Sequence, residues 1–245
     1  MNYAVLFAGG VGKRMYTSNI PKQFIEIEGK AIIIHAILCF EDSENIDGIC
    51  VVCLPEWLDR LKGMIEAENI QKVKWLVSGG ATGQESIYKG LKAIYDDSEA
   101  PEKDIVLISD GVRPFVDKDV IDKNIACVKK MGSSVVICPV PETIGLVDDS
   151  GELTDIPKRS LCYLLKAPQG FFLSELMEAH QKAIAENRFD CTNSAELMWR
   201  YGHSLYTVPD SDANIKVTTP TDLVIMQGII DSHQKEDDSS EKRGL

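Results

Sequence analysis

Positive charge is scarce in this chain: 26 lysines and arginines stand against 38 acids, a formal net charge of −12 over 245 residues. A protein that grips duplex nucleic acid gathers basic stripes that neutralise phosphates, and this balance leaves no broad field of that kind. Long apolar runs are also missing. No stretch approaches the ~20 residues that span a bilayer, and the short hydrophobic run near the amino terminus follows no charged segment, so the expected compartment is the cytoplasm and no membrane partner is expected. His35, His180, His203 and His233 show no metal-ligand spacing, and no GxSxG string sets a serine on a hydrolase elbow. Cysteine is present seven times, an odd number scattered mostly through apolar segments, which fits reduced thiols rather than a disulfide framework. Cys50 and Cys53 form a CxxC inside the run ICVVCL. That run reads as a strand, where residues three apart point to opposite faces, so neither a redox pair nor a metal clip is expected. Internal repeats are absent, and the length suits one generous α/β domain over residues 1–232.

What is present begins in the first 25 residues. The apolar run Tyr3 to Phe7 opens into AGGVGKRM and then into PKQF, with Lys13, Arg14 and Lys22 and no acid between them. In an acidic chain such an island is most simply a phosphate cradle, because the bulk field repels an anion and local charge must capture it. Gly9, Gly10 and Gly12 let backbone approach a polyphosphate closely. A strand-to-helix turn with surface cations is the plainer alternative. A dinucleotide-binding turn competes less well, since Met15 stands where GxGxxG needs its third glycine, and a Walker loop lacks its GK followed by Ser or Thr.

Apolar runs recur at Tyr3–Phe7, Ile49–Leu54, Val73–Val77, Ile105–Ile108 and Ser134–Val140. Helical patterns separate them, at roughly 31–42, 56–69, 84–97, 117–131, 174–187, 194–202 and 220–232. Ser174 and Thr219-Pro220 read as helix starts. This alternation predicts an α/β fold with a mainly parallel sheet, a Rossmann-like three-layer sandwich. The stretch from Gly145 to Pro157 breaks the pattern with two short alternating segments around Asp-Ser-Gly. It predicts a β-hairpin arm, within about 143–160, which buries little surface alone and so is expected to dock on a second subunit. The polar run beyond about 232 predicts a disordered acidic tail.

AGGVGKRM followed by PKQF resembles the signature of the cytidylyltransferases that activate polyol phosphates, the family of the ribitol-5-phosphate and 2-C-methyl-D-erythritol 4-phosphate enzymes. Similar segments follow in the family's order: SGG with Ser86, SDGVRPF at 109–115, PVPET at 139–143, IPKR at 156–159, APQGF at 167–171 and NIKVTTPTDL at 214–223. The resemblance covers nearly the whole chain. It implies CTP and a polyol phosphate as substrates, a homodimer joined through the arm, and magnesium bridging the CTP phosphates with few protein ligands. Nucleotidyl transfer needs in-line attack of a phosphate oxygen on the α-phosphorus and no protein nucleophile, so positioned charge supplies the catalysis.

Carried over residue by residue, the resemblance makes Arg14, Lys22 and Lys216 the transition-state cations. Ala8, Gly9, Gly10, Gly12, Lys13, Gly79, Gly80 and Ser86 become nucleotide-binding, the last three reading cytosine. Asp110 serves the acceptor and is the candidate magnesium ligand, with Asp212 second. Arg113, Thr143, Arg159 and Thr192 become substrate-binding, Thr143 and Arg159 reaching across from the other subunit. An architectural Asp110–Arg113 ion pair and a solvated arm residue at 159 are the alternatives. Four positions depart from the family pattern: Gly83 in place of arginine, Ser109 of histidine, Ala167 of threonine and Asn193 of aspartate. None removes a transition-state cation, but together they bear on the acceptor and on nucleotide preference. Val112, Phe115 and VTTPTDL favour ribitol 5-phosphate over methylerythritol phosphate. A catalytically lapsed nucleotide-binding protein is the alternative from another class, and a nicotinamide oxidoreductase fits least.

Overall fold

A computed structural model describes residues 1–9 and 20–241, with side chains through residue 232. The first half contains β1 (Asn2–Ala8), a two-stranded ribbon of β2 (Glu26–Ile27) and β3 (Lys30–Ala31), α1 (Ile32–Glu41), β4 (Gly48–Cys53), α2 (Leu58–Ala67), β5 (Val73–Ser78) and α3 (Gly83–Asp97). The second half contains β6 (Ile105–Asp110), α4 (Lys118–Met131), β7 (Ser133–Pro139), the hairpin β8 (Leu146–Val147) and β9 (Leu153–Asp155), β10 (Tyr163–Phe172), α5 (Leu173–Ala185), α6 (Ser194–Arg200), β11 (Thr207–Pro209) and α7 (Pro220–Glu241). Seven strands make one sheet in the order β11-β7-β10-β6-β1-β4-β5, in which β10 alone runs antiparallel to its neighbours.

Side-chain alternation along the strands decides the layers. Leu6 of β1 and Ile49, Val51 and Cys53 of β4 pack with Ile33 and Ile37 of α1, Leu61 of α2 and Ile125 of α4. On the opposite face Val5, Cys50 and Val52 meet Leu91 of α3, Leu176 of α5 and Leu197 of α6. The result is the predicted three-layer α/β sandwich. Cys50 and Cys53 fall in different layers, both fully buried. Burial pushes the Cys50 thiol up to about 12 and the Cys53 thiol up to about 11, leaving neither a thiolate to react or bind metal at neutral pH.

Predicted and observed helices agree to within a few residues where local signals are strong. Asp117 caps α4 by accepting from the Asp119 amide, and Gly132 closes it in the left-handed conformation at φ 88°. Ser174, read as a start, is already inside α5, and its amide donates to the Pro101 carbonyl at 3.1 Å. The carboxyl-terminal helix differs more. Its backbone runs to Glu241, nine residues into the tail expected to lack structure, through a stretch free of proline and glycine.

The longest strand missing from the sequence reading is β10; the short β2, β3 and β11 are missing too. Pro168 and Gly170 argue against a central strand. The structure resolves the conflict with an irregularity: pairing to β7 shifts register between Leu165 and Gln169, so Pro168 owes the ladder no amide there. The hairpin arm is present where expected. Gly151 takes φ 87° and Asp148 Oδ1 accepts from the amides of Ser150 and Glu152 at 2.9 and 3.0 Å, which makes the tight turn. Among the described residues no helix is long and apolar enough to cross a membrane.

Candidate active site

The chain builds outward from β1 to β4 and β5, then crosses back to lay β6 on the other side of β1. Such a reversal leaves a crevice beyond the carboxyl ends of the strands. Ala8 ends β1 at that crevice, with Gly9 next in the chain, and Asp110 ends β6. Of the cradle predicted for nucleotide phosphates, Gly10, Gly12, Lys13 and Arg14 lie outside the described residues.

On one side of the crevice the loop after β5 packs against the loop after β1. A Cβ on Gly9 would stand 3.0 Å from Ser86 Oγ, and one on Gly79 would stand 3.3 Å from both the Cys53 carbonyl and Ser86 Oγ. Only glycine permits this approach without displacement. Ser86 is buried and its hydroxyl accepts from the Gly80 amide at 3.0 Å while donating to the Thr82 carbonyl at 2.9 Å. The side chain therefore shapes the loop. Thr82 in turn caps α3 through the Glu85 amide.

On the other side the cations converge. Lys22 sits in a short 3-10 turn anchored by two buried neighbours: Phe24 stacks on Trp57 with centroids 4.4 Å apart, and Gln23 Nε2 donates to the Ala8 carbonyl at 2.7 Å. So placed, Lys22 Nζ donates to the Val217 carbonyl at 3.0 Å. The Val217 amide donates to the Val112 carbonyl at 2.9 Å, tying the NIKV segment to the DGVR loop. Asp110 carries the centre. Its Oδ2 takes Arg113 Nε at 2.8 Å and its Oδ1 takes Lys216 Nζ at 2.5 Å. Burial alone would raise the Asp110 carboxyl; Lys216 and Arg113 outweigh it and hold the group below the usual carboxylate range. The Asp110 and Arg113 side chains are each 8% exposed, whereas that of Lys216 is 43% exposed, so the lysine head lies at the mouth. Two cations on one carboxylate leave net positive charge at Asp110 in a chain of −12, which suits an anionic ligand, and Lys22 is tied to the same NIKV segment. The architectural ion pair between Asp110 and Arg113 is thus present, and it belongs to the same cluster as Lys22 and Lys216.

A cavity of about 140 Å³ opens beside this cluster, lined by Asp110, Arg113, Lys216, Ala167, Gln169 and Asn193 among others. Thr192 lines it too, with its amide and hydroxyl on Glu196 Oε2 at 2.8 and 2.7 Å. Asn193 caps α6 by accepting from the Glu196 amide, and Ala167 presents its carbonyl to Asn214 Nδ2 at 2.7 Å. Sequence reasoning passed over Gln23, Gln169 and Asn214. Each is a buried polar side chain: Gln169 Oε1 accepts from the Ala195 amide at 2.9 Å, and Asn214 Nδ2 donates to Asp210 Oδ2 at 2.7 Å while the Asn214 backbone carbonyl accepts from Arg113 Nη1 at 3.2 Å. Their position inside the motifs PKQF, APQGF and NIKV was the available signal. Ser109 is fully buried on β6, with its hydroxyl unpartnered.

Thr143 and Arg159 stand apart from this cluster. Both are exposed on the arm, where Arg159 Nη1 reaches the Pro141 carbonyl at 3.5 Å, and neither lines the cavity beside Asp110. Both Asp110 oxygens are held by cations, Oδ2 by Arg113 and Oδ1 by Lys216. Asp212 Oδ1 accepts from Cys138 Sγ at 2.7 Å, and among the described residues no group of three or more His, Cys, Asp or Glu gathers. A magnesium ion whose ligands come from a triphosphate and water needs no such group.

A family model described as "IspD: 2-C-methyl-D-erythritol 4-phosphate cytidylyltransferase" matches residues 2–232. The chain is 42% identical over 236 residues to the ribitol-5-phosphate cytidylyltransferase of Streptococcus agalactiae serotype III, covering 96% of this chain and 98% of the relative. It is 34% identical over 230 residues to the 2-C-methyl-D-erythritol 4-phosphate cytidylyltransferase of Clostridium botulinum strain 657, covering 94% and 97%. Among solved structures, 4-diphosphocytidyl-2C-methyl-D-erythritol synthase from Anaerococcus prevotii superposes with a TM-score of 0.81 at 25% identity, covering 94% of this chain and 96% of that one. With these likenesses spanning the sheet, the arm and the cation cluster together, the chain belongs to the IspD family of cytidylyltransferases.

Proposed function

We propose that this protein transfers the cytidylyl group of CTP to ribitol 5-phosphate, giving CDP-ribitol and pyrophosphate. A phosphate oxygen of the acceptor attacks the α-phosphorus, the bond to the bridging oxygen breaks, and its electron pair leaves with pyrophosphate. The observation that carries the reading is the cluster in which Asp110 holds Arg113 and Lys216 while Lys22 is bound to the same backbone segment. Cations fixed before substrate arrives need little reorganisation as charge builds on the phosphoryl oxygens. Arg14, by family resemblance, completes the set. Gly9, Gly79 and Gly80 offer backbone to the nucleotide, and Arg113 and Thr192 face the acceptor. The ribitol preference rests on 42% identity to a ribitol-5-phosphate enzyme against 34% to a methylerythritol one. The likeness to solved methylerythritol enzymes keeps that acceptor as the second reading. A protein that binds nucleotide without turnover fits less well, since Lys22 and Lys216 stand at the mouth of the crevice.

The working unit in this proposal is a homodimer. Leu146, Val147, Leu153, Ile156, Leu161 and Leu164 on and beside the arm are between 48% and 76% exposed, apolar side chains that a second copy would cover. Docking there would carry Thr143 and Arg159 to the neighbouring site, where a guanidinium fork suits the acceptor phosphate. Magnesium is proposed as the ion between the CTP phosphates. The cytoplasm is the proposed compartment, in keeping with seven unpaired cysteines. The test is pyrophosphate release from CTP with ribitol 5-phosphate and methylerythritol 4-phosphate in parallel. Higher kcat/KM for ribitol 5-phosphate supports the reading, higher kcat/KM for methylerythritol 4-phosphate transfers it to the second acceptor, and silence with both, alongside CTP binding, overturns it.

A further inference from the structure

Four charged residues line the cavity beside Asp110: Asp110 itself, Arg113, Lys216 and Lys166. The first three are bound to one another, whereas Lys166 comes from β10, inside the stretch where pairing with β7 changes register. In a regular strand alternate residues point to opposite faces. Across this irregularity Leu165, Lys166, Ala167 and Gln169 all line the one cavity, so the break in the ladder brings a lysine to the wall that strict alternation would turn away.

The charge of Lys166 is spent differently from that of its neighbours. Arg113 and Lys216 each hold an oxygen of Asp110, but Lys166 Nζ donates to a neutral group, the Ser211 carbonyl, at 3.0 Å. The acids on either side of Ser211 are engaged elsewhere: Asp210 Oδ2 takes Asn214 Nδ2 and Asp212 Oδ1 takes Cys138 Sγ, each at 2.7 Å. Ser211 uses one of the three N–H groups that a lysine ammonium carries, which leaves two for a ligand. Among the described residues that line the cavity, one acid stands against three cations, two positive charges in excess. A phosphate monoester carries about −2 above its second pKa near 6, which matches that excess. We propose that Lys166 is a further acceptor-binding residue, whose ammonium pairs with the phosphate of the polyol phosphate and so favours phosphorylated acceptors. The inference rests on the polyol-phosphate reading above and adds to it a residue outside every motif that carried the family resemblance.

The experiment measures Lys166→Met and Lys166→Arg beside the parent, varying ribitol 5-phosphate at saturating CTP and then CTP at saturating ribitol 5-phosphate. Lys166→Met keeps the apolar stem and loses the charge. It raises the acceptor KM about tenfold, the scale of one hydrogen bond to a charged group, and leaves kcat and the KM for CTP within about twofold of the parent. Lys166→Arg keeps the charge and brings the acceptor KM back to within about threefold of the parent. Added salt raises the acceptor KM of the parent more steeply than that of Lys166→Met, since only the parent has this charge to screen. An acceptor KM in Lys166→Met within about twofold of the parent overturns the assignment. So does a rise in the KM for CTP in its place, which gives the ammonium to the triphosphate. A fall in kcat with the acceptor KM unmoved marks a tether on the 210–214 loop and overturns it too. A parent silent with both ribitol 5-phosphate and methylerythritol 4-phosphate overturns the acceptor reading itself, which separates the two failures.

Discussion

The two halves of the crevice are built by different rules. On the side proposed for the nucleotide, β1 and β4 are mostly apolar and the loop after β5 opens on Gly79 and Gly80, held by the buried Ser86 through contacts to Gly80 and Thr82 that span few residues. On the acceptor side the site is assembled from distant segments: Arg113 meets Asn214, Asn214 meets Ala167, Lys22 meets Val217, and Asp110 meets Lys216. The nucleotide half is fixed by local backbone geometry. The acceptor half is fixed by charge and hydrogen bonds across the fold, so a substitution there propagates to several functional groups at once.

Four experiments break or sharpen this contrast. The largest effect is expected at the mouth. Lys216→Ala and Lys22→Ala each lower kcat by about two to three orders of magnitude while far-ultraviolet circular dichroism stays native, as removal of a transition-state cation requires. Near-parent turnover in either variant detaches the cluster from the chemistry. Deleting residues 145–156 comes next: sedimentation should find a monomer with activity reduced about a hundredfold, the scale of losing positioned substrate contacts. A monomer as active as the parent removes the arm from the site.

Asp110→Asn should cost about 3–5 kcal/mol of stability in chemical denaturation, because it strands Arg113 and Lys216 without their counter-charge. The pH dependence follows from the direction of the shift. With its folded-state pKa depressed, Asp110 contributes stability that is fully present above the unfolded carboxylate value of about 3.9 and is lost as pH falls through the lower folded value. The parent should therefore lose its advantage over Asp110→Asn only below about pH 4. An advantage lost between pH 6 and 8 would show that another group controls the cluster. The smallest effect is expected for two side chains buried inside the sheet layers. Cys50→Ala with Cys53→Ala should leave kcat unchanged and lower stability by about 1–2 kcal/mol per site, measured by thermal unfolding, because both thiols only fill the core.

How far the sequence reads into this molecule follows the same division. The parallel strands and most helices were visible because each shows its own period and cap: Asp117 and Gly132 bracket α4, and Ile49 to Cys53 alternate between two layers. β10 was hidden because Pro168 and Gly170 speak against a strand locally, and only its pairing with β6 and β7 on either side overrides them. In the site, Lys22, Asp110, Arg113 and Lys216 were legible as charged residues in motifs, but their mutual arrangement was not. The contacts of Lys22 with Val217 and of Arg113 with Asn214 span 195 and 101 residues. Lys166 gave no signal at all, since it stands one place ahead of the motif APQGF and only the fold brings it to the cavity beside Asp110.

The reaction itself is tested most directly by phosphorus NMR of CTP mixed with ribitol 5-phosphate, magnesium and the intact protein. Transfer to the acceptor predicts a new diphosphate diester growing in step with pyrophosphate, one for one, while the ribitol phosphate monoester disappears. Pyrophosphate accompanied by CMP, with the monoester unchanged, would show attack by water and contradict the account.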